Sequence, residues 1–313
     1  MESQGLTIKP AERLEITVLV DNYSDLMLME QEGVIRRPQV LPLGPLAEHG
    51  LSLLVKVLNG DEKHTILLDT GLSEQAMLHN AELLNLNLAE IEALVISHGH
   101  CDHFGGLLPL LKLTGPGLKI VCHPEAFNPR RLEEGRETVD LPGLNRGALI
   151  AAGGDLYLSK EPSSLADGMV VVLGEVARQT EFERGFPASK ALIAGSWQTD
   201  PLRDDQGLAV LVEGEGLVVI SGCAHAGIIN MALHAQKILG QQKVHAILGG
   251  FHLSGPDFKP VIEPTIKALQ KINPNWLVPM HCTGWQATNE LAQAMPQAFL
   301  LSTVGTTFIF PKE

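Results

Sequence analysis

The chain contains the stretch Ser97-His98-Gly99-His100-Cys101-Asp102-His103-Phe104-Gly105-Gly106-Leu107, in which three histidines and an aspartate lie within six residues. An apolar run, Ala93–Ser97, precedes it and predicts a buried strand, and Phe104–Leu113 has the apolar spacing of a helix. Imidazole and carboxylate groups are ligands that zinc, iron and related ions prefer. A chance cluster on a surface loop is the alternative, but this density of ligand residues favours a metal site.

The spacing within this motif predicts two neighbouring ion positions. His98 and His100 are two residues apart on a tight turn, where Gly99 lets the backbone bend, and both can point to one ion. Asp102 and His103 are then directed towards a second ion. Asp102 is also the candidate catalytic residue, because a carboxylate at this position can orient an attacking water or take its proton.

Three distant histidines are candidates to complete the site, because an ion needs ligands from more than one segment. Each follows an apolar strand: His225 in Gly222-Cys-Ala-His-Ala-Gly, His252 in Gly249-Gly-Phe-His-Leu and His281 in Pro279-Met-His-Cys-Thr-Gly. We predict that His225 and His281 bind metal, and that His252 contacts a ligand or the substrate instead. Six other histidines lack this context and are predicted to lie on the surface or in the core, although His123 follows a strand and could face the site: His49, His64, His79, His123, His234 and His245.

Two more residues are candidates for supporting roles. Asp69, in Leu67-Leu-Asp-Thr-Gly71, ends a buried strand and is predicted to hydrogen-bond a ligand histidine or to brace the motif turn; an ordinary helix cap is the alternative. Cys223 and His225 follow the same strand, so only one of them is expected to reach the first ion. We favour His225, because a neutral imidazole matches His98 and His100, and we expect Cys223 to pack beneath the site.

Strands alternate with amphipathic helical stretches, which predicts an α/β fold. Two apolar runs nearly repeat, Ala93–Ser97 and Leu217–Ser221, and indicate two half-sheets that each deliver ligands from a strand end. We predict one domain over residues 1–313, with the segment at about 135–184 as an insertion or lid over the site. Other strands are predicted at Leu14–Val20, Leu51–Val57, Thr65–Leu68, Leu118–Cys122, Met169–Leu173, Ala191–Ala194, Leu208–Glu213, Ala246–Gly249, Trp276–Pro279 and Thr307–Phe310. Other helices are predicted at Glu74–Leu84, Leu88–Glu92, Ile228–Leu239, Val261–Ile272 and Ala287–Ala294.

Composition narrows the classes of partner. The formal net charge is −13 and no block of Lys and Arg occurs, so we expect no nucleic-acid binding. The positive charge for an anionic substrate would have to be local, from metal ions or from Arg178, Arg184 and Lys190. The first fourteen residues carry no apolar signal-peptide core, and no apolar run approaches the ~18 residues of a membrane span. We therefore expect a cytoplasmic protein with a small-molecule substrate. Four scattered cysteines argue against a disulfide framework.

At these residues the sequence resembles the metallo-β-lactamase superfamily, with Asp69-Thr-Gly, the His98–His103 motif, His225 and His281 in the family order. The strings Gly222-Cys-Ala-His-Ala-Gly-Ile-Ile-Asn230, Gly249-Gly-Phe-His-Leu and His281-Cys-Thr-Gly, together with Leu19-Val-Asp-Asn22, also resemble its 7,8-dihydropterin-6-yl-methyl-4-(β-D-ribofuranosyl)aminobenzene 5′-phosphate synthase-like subgroup. The resemblance implies an αββα sandwich of two mixed sheets flanked by helices. It also implies two divalent metal ions, zinc above all, with iron or manganese as alternatives.

On this resemblance, His98, His100 and His225 would hold the first ion, and Asp102, His103 and His281 the second. Many members carry a bridging aspartate after the strand equivalent to Leu217–Ser221, whereas this chain has Cys223 near that position. The leading functional hypothesis is a metal-dependent hydrolase of a small anionic, phosphorylated ester. A transferase in pterin cofactor synthesis and a non-catalytic metal or ligand sensor are the alternatives.

Overall fold

The computed structural model describes residues 8–36 and 44–311, and these residues form two large mixed sheets with helices on their outer faces. The first sheet has eight strands in these residues, in the spatial order β2 (Val34–Arg36), β18 (Thr306–Phe310), β1 (Arg13–Val20), β3 (Ser52–Asn59), β4 (Glu62–Leu68), β5 (Ala93–Val95), β6 (Lys119–Cys122) and β9 (Asp155–Leu158). The second has six, in the order β10 (Ser163–Leu165), β11 (Val170–Val172), β14 (Gly207–Val212), β15 (Gly216–Ser221), β16 (Val244–Gly250) and β17 (Trp276–Met280).

The central strands of each large sheet are buried on both faces, which explains why they are almost continuously apolar. Side chains alternate along a strand, so Ile16 on β1 and Val218 on β15 face the core between the sheets, while Leu217 faces the helices. Helices α1 (Ala76–Leu83), α2 (Leu107–Thr114) and α3 (Arg146–Ala151) pack on the first sheet. Helices α4 (Ile228–Leu239), α5 (Lys259–Ile272) and α6 (Trp285–Ala294) pack on the second. The predicted αββα arrangement is thereby confirmed.

The structure adds a third, smaller sheet that the sequence did not predict. It is antiparallel, with four strands in the described part of the chain, in the order β13 (Ser196–Thr199), β12 (Ser189–Ile193), β7 (Arg130–Glu134) and β8 (Glu137–Asp140). Among these only the region of β12 was predicted as a strand. The others are short and rich in charged or polar residues, so their period-two pattern carries no apolar signal.

The segment at about 135–184, which we predict to be an insertion or lid, contributes strands to both large sheets. It supplies β9 to the first sheet and β10 and β11 to the second, so much of it belongs to the sandwich itself. Its Gly, Pro and Ser content reflects short strands joined by turns. The predicted helix Leu88–Glu92 is only a 3-10 turn, Leu88–Glu90, and helix α2 begins at Leu107 because Cys101–His103 forms a separate 3-10 turn. No helix of the described residues combines the length and apolarity needed to cross a bilayer.

Candidate metal centre

The candidate ligands lie where the two sheets meet at one edge. Strands β4, β5 and β6 run parallel to one another, as do β15, β16 and β17, so the residues after their carboxyl ends collect there. The sheets touch at Ser97 and Gly222, where a Cβ on the glycine would lie 2.2 Å from the Ser97 Oγ. The near-repeat of the sequence therefore corresponds to two strand ends that face each other across the site.

His98, His100 and His225 form the first cluster, which is buried. The Nε2 of His98 lies 3.0 Å from the Nδ1 of His100 and 3.2 Å from the Nε2 of His225, and the remaining pair is 3.1 Å apart. Ligand nitrogens of one tetrahedral zinc ion lie about 3.3–3.4 Å apart, because each Zn–N bond is about 2.0–2.1 Å. One proton between these nitrogens would serve a single pair, whereas one cation would serve all three. The cluster therefore fits a metal ion.

Hydrogen bonds orient the His98 ring for this role. The hydroxyl of Ser97 donates to the Asp69 carboxylate at 2.6 Å, so the Nδ1 of His98 must donate to the Ser97 oxygen, 2.9 Å away. The Nε2 of His98 then carries a lone pair that points into the cluster. Burial, together with the positive charge of Arg130, lowers the pKa of His100 to about 3, so this ring too stays neutral and able to bind a cation.

Asp102, His103, Cys223 and His281 form the second cluster. The Oδ2 of Asp102 lies 3.2 Å from the Nε2 of His281 and 3.7 Å from the Nε2 of His103. The sulfur of Cys223 lies 3.2 Å from the same His103 nitrogen. We expected Cys223 to pack beneath the site, whereas the structure places its sulfur among the donor atoms of the second cluster. The ring of His225 lies in the first cluster, and its binding of an ion stays a prediction.

Asp69 lies behind the second cluster. Its Oδ2 accepts a hydrogen bond of 2.6 Å from the Nδ1 of His103, and its Oδ1 accepts one of 2.7 Å from the backbone N–H of Ser97. Burial alone would lower the pKa of His103, but the carboxylates of Asp102 and Asp69 raise it to about 9. A cation that binds at the Nε2 of His103 would therefore have to displace a proton from this ring. Burial would raise the pKa of Asp102, but His103 and His281 hold it well below its usual range.

A buried ion network braces the first cluster and was missed by sequence reasoning. Arg130 donates to Asp200 at 2.6 Å and to Asp204 at 2.7 Å, and Asp204 accepts a hydrogen bond of 2.9 Å from the N–H of Gly99. A Cβ at Gly99 would lie 2.1 Å from the carbonyl oxygen of Ala126, so only glycine fits between the two ligand histidines. These contacts join residues up to 105 positions apart in the sequence, so they leave no local signal.

Residues after β1 position His281, and His49 also lies beside the second cluster. The Asp21 carboxylate accepts a hydrogen bond of 2.9 Å from the N–H of His281, and the side-chain Oδ1 of Asn22 accepts one of 3.1 Å from the Nδ1 of His281. The Nε2 of His281 is thereby left to face the second cluster. His49, predicted to be an ordinary surface or core residue, has its Nε2 3.6 Å from the Asp102 carboxylate and a ring centroid 4.8 Å from that of His281.

Other predicted residues are placed as follows. His252 lies beside His225, with ring centroids 4.1 Å apart, and can join Cys223 and His225 in a third group of donor atoms. Arg178 donates to the carbonyl oxygen of His225 at 3.4 Å. Arg184 and Lys190 instead donate to the carbonyl oxygens of Glu181 and Pro187, and no contact with a cluster residue is seen for them in the described chain. His123 caps the turn Pro124–Phe127 and belongs to none of the donor groups found in residues 8–36 and 44–311.

Non-glycine residues in the left-handed region mark the strand ends that carry the site. The φ angles are +59° at Asp69, +55° at Ala224, +44° at His252 and +48° at His281. Such conformations cost about 1–3 kcal/mol each and persist where surrounding contacts impose them, commonly at functional sites. This strain is consistent with a functional site formed by the ends of strands from both sheets.

A family model described as the metallo-beta-lactamase superfamily matches residues 47–228, which include the motif and His225. The chain is a member of the metallo-β-lactamase superfamily. A curated relative from Methanocaldococcus jannaschii is 34% identical over 259 residues, which cover 81% of this chain and 87% of the relative. It is named 7,8-dihydropterin-6-methyl-4-(β-D-ribofuranosyl)-aminobenzene-5′-phosphate synthase. An uncharacterised protein of the same organism is 30% identical over 247 residues, covering 79% and 88% of the two chains.

Solved structures agree on the fold. Tm1679, described as a metal-dependent hydrolase of the β-lactamase superfamily, has 26% identity and a TM-score of 0.72, with 94% of this chain and 98% of that chain covered. Zn²⁺-bound PqqB from Methylobacterium extorquens has 14% identity and a TM-score of 0.53, with 94% of this chain and 99% of that chain covered, and it shows the fold alone. The predicted superfamily and fold are confirmed by these matches.

Proposed function

We propose that this protein is a metal-dependent hydrolase that uses two divalent ions, zinc above all, to cleave a small phosphorylated ester. The observation that carries the proposal is the pair of adjoining donor clusters at one sheet edge. The first offers three imidazole nitrogens, and the second offers a carboxylate, two imidazoles and a thiol. Neighbouring ions of this kind activate water and polarise the substrate oxygen.

On this proposal, residues of the chain would bind the ions, transfer a proton and orient the ligands. His98, His100 and His225 would hold one ion, and Asp102, His103, His281 and Cys223 the other. Asp102 would also orient the attacking water and accept its proton, because its carboxylate is 15% exposed and stays ionised. Asp69 would keep the His103 ring in place through its 2.6 Å hydrogen bond.

The charge of the site supports an anionic substrate. Two divalent ions would carry more positive charge than Asp102 and a Cys223 thiolate can offset. Burial raises the pKa of the Cys223 thiol, but a coordinated cation deprotonates a thiol outright. Arg178, which touches the backbone of His225, adds a further positive charge beside the first cluster. A phosphate or carboxylate group on the substrate would therefore be favoured, although the chain as a whole is acidic.

A second candidate is a transferase of pterin cofactor synthesis. It is supported by the M. jannaschii relative, which is named as a synthase of a compound with pterin, aminobenzene and ribofuranosyl phosphate parts. The same ions would then bind the phosphorylated ribosyl substrate, and no water would attack. A third candidate, a non-catalytic sensor, would bind ligand and leave it unaltered.

Elemental analysis and turnover together test the proposal. Purified or reconstituted protein is expected to hold one to two equivalents of zinc, iron or manganese, as the two clusters imply, and to release product from a single phosphoester. His79→Ala, which changes a histidine bound to the carbonyl of Gly44 outside the clusters, is the control and should keep both properties. Absence of transition metal after reconstitution would refute the metal site. A strict need for two substrates would establish the transferase instead.

A further inference from the structure

Three rings form what we call the aromatic wall: Phe186, His252 and Phe258. The ring centroid of His252 lies 4.8 Å from that of Phe186 and 4.6 Å from that of Phe258, and the two phenylalanines are 5.9 Å apart. These distances fall in the range in which aromatic side chains attract one another. The three residues come from separate segments, before β12, after β16 and before α5, so the wall is a product of the tertiary fold.

The aromatic wall adjoins the first cluster. The ring of His225 lies 4.1 Å from His252 and is nearly parallel to Phe186, at 6.0 Å and 5°. A buried carboxylate holds the Phe186 loop against this end of the second sheet: Glu183 accepts hydrogen bonds of 2.9 Å from the N–H groups of Ile229 and Asn230 in the first turn of α4. The wall is therefore attached to the same short segment that supplies a candidate metal ligand.

Two features distinguish the wall from ordinary core packing. All three rings are only partly buried, so part of their surface is left for a ligand. Both nitrogens of His252 also lack a hydrogen-bond partner among the described residues, although these atoms are shielded from solvent. A buried polar atom without a partner is costly, and such atoms are often completed by a ligand.

We propose that the aromatic wall is the subsite for a planar aromatic or heteroaromatic ring of the substrate, whose anionic group lies at the metal ions. The inference rests on the proposed function, because it places the ring next to a metal-bound phosphate. Phe186 and Phe258 offer edges and faces to the ring, and His252 offers a donor and an acceptor to a heteroatom on it. The printed name of the M. jannaschii relative contains two such rings, a pterin and an aminobenzene.

A matched pair of ligands tests the assignment in the zinc-loaded protein. Benzylphosphonate and cyclohexylmethylphosphonate carry the same anionic group, have no phosphoester bond to hydrolyse, and differ in whether the ring is planar and aromatic. Calorimetry should show tighter binding of benzylphosphonate, by about 2- to 10-fold, as expected for aromatic pairing. Phe186→Leu and Phe258→Leu should each reduce this preference, while zinc content stays at the wild-type level. Tyr157→Leu, which changes an exposed aromatic residue on the edge strand β9, should leave it unchanged.

Equal binding of the two phosphonates, or a preference that survives both phenylalanine substitutions, would overturn the subsite. Failure of both compounds to bind would also overturn it. The proposed function is decided separately, because zinc content and phosphoester turnover do not depend on the ring preference. If those two properties are retained while the preference is absent, only the aromatic subsite is wrong.

Discussion

The two donor clusters lie at the same edge of the sandwich but differ in the chemistry of their donor groups. The first contains only imidazoles, is at most 7% exposed, and lies against the buried Arg130 network. The second contains a carboxylate and a thiol besides two imidazoles, and the exposed ring of His49 stands beside it. On the proposed function, the first cluster would hold its ion with neutral ligands alone. The second would hold its ion with charged ligands and is the more exposed of the two, because the Asp102 side chain is 15% exposed.

The largest effect is expected from removing one ligand of each cluster. His100→Ala deletes a donor of the first, and Asp102→Asn deletes the ionised group of the second that is proposed to move the proton. Each should reduce turnover by at least about 10²-fold while the far-UV circular dichroism stays that of the folded protein, because the core strands do not depend on either side chain. Retention of most activity on the native substrate by either variant would contradict the assigned roles.

Exchange of the sulfur ligand separates the two clusters. Cys223→Ser should lower the affinity for the second ion by at least about tenfold, while the first ion is retained. It should also abolish the near-ultraviolet thiolate band of the cobalt-substituted protein. His225→Ala should lower the affinity for the first ion, while the thiolate band persists. Cys282→Ser is the matched control, because that thiol donates to the carbonyl oxygen of Cys223 and belongs to none of the donor groups of the described residues. A thiolate band that survives Cys223→Ser would exclude this sulfur as a ligand.

The pH dependence of metal binding should differ between the clusters. The pKa of His103 is raised to about 9 in the metal-free chain, so at pH 7 an ion must displace its proton, and affinity for the second ion should increase with pH up to that value. The pKa of His100 is lowered to about 3, so this ring loses no proton between pH 5 and 8. Calorimetry in buffers of different ionisation enthalpy should therefore show about two protons released with the second ion, one from His103 and one from the Cys223 thiol, and none with the first. Equal proton release by both ions would contradict this comparison.

The smallest effect is expected at His49. Its side chain is 64% exposed and 3.6 Å from Asp102, so the interaction is largely screened by solvent. His49→Ala should change kcat/KM by no more than about fivefold and leave the metal content unaltered. His79→Ala again serves as the control histidine. A loss comparable to that of Asp102→Asn would show that His49 takes part in the chemistry itself.

The contrast between Asp102 and Cys223 shows how far the sequence could predict the site. Asp102 lies inside a dense local motif, and residue type and spacing were enough to assign it to the second ion. Cys223 is two residues from His225, and no local pattern tells which of two neighbouring side chains turns towards which cluster. That choice depends on the backbone between them, where Ala224 has a φ of +55°. Reasoning from one turn therefore favoured His225 as the residue that reaches the first cluster and did not anticipate that the Cys223 sulfur lies among the donor atoms of the second.

The sequence by itself determined the α/β class, because doubly buried strands leave continuous apolar runs and helices leave their own period, and the resemblance of its motifs to the superfamily implied the αββα arrangement. It also determined the His98–His103 motif and the strand-end positions of His225, His252 and His281. Only the tertiary structure decided the rest: the thiol in the second cluster, the Arg130 network, the approach of His49 and the aromatic wall. The physical reason is that each of these depends on contacts between residues far apart in the chain, and such contacts leave no periodic or local signal in the amino-acid order.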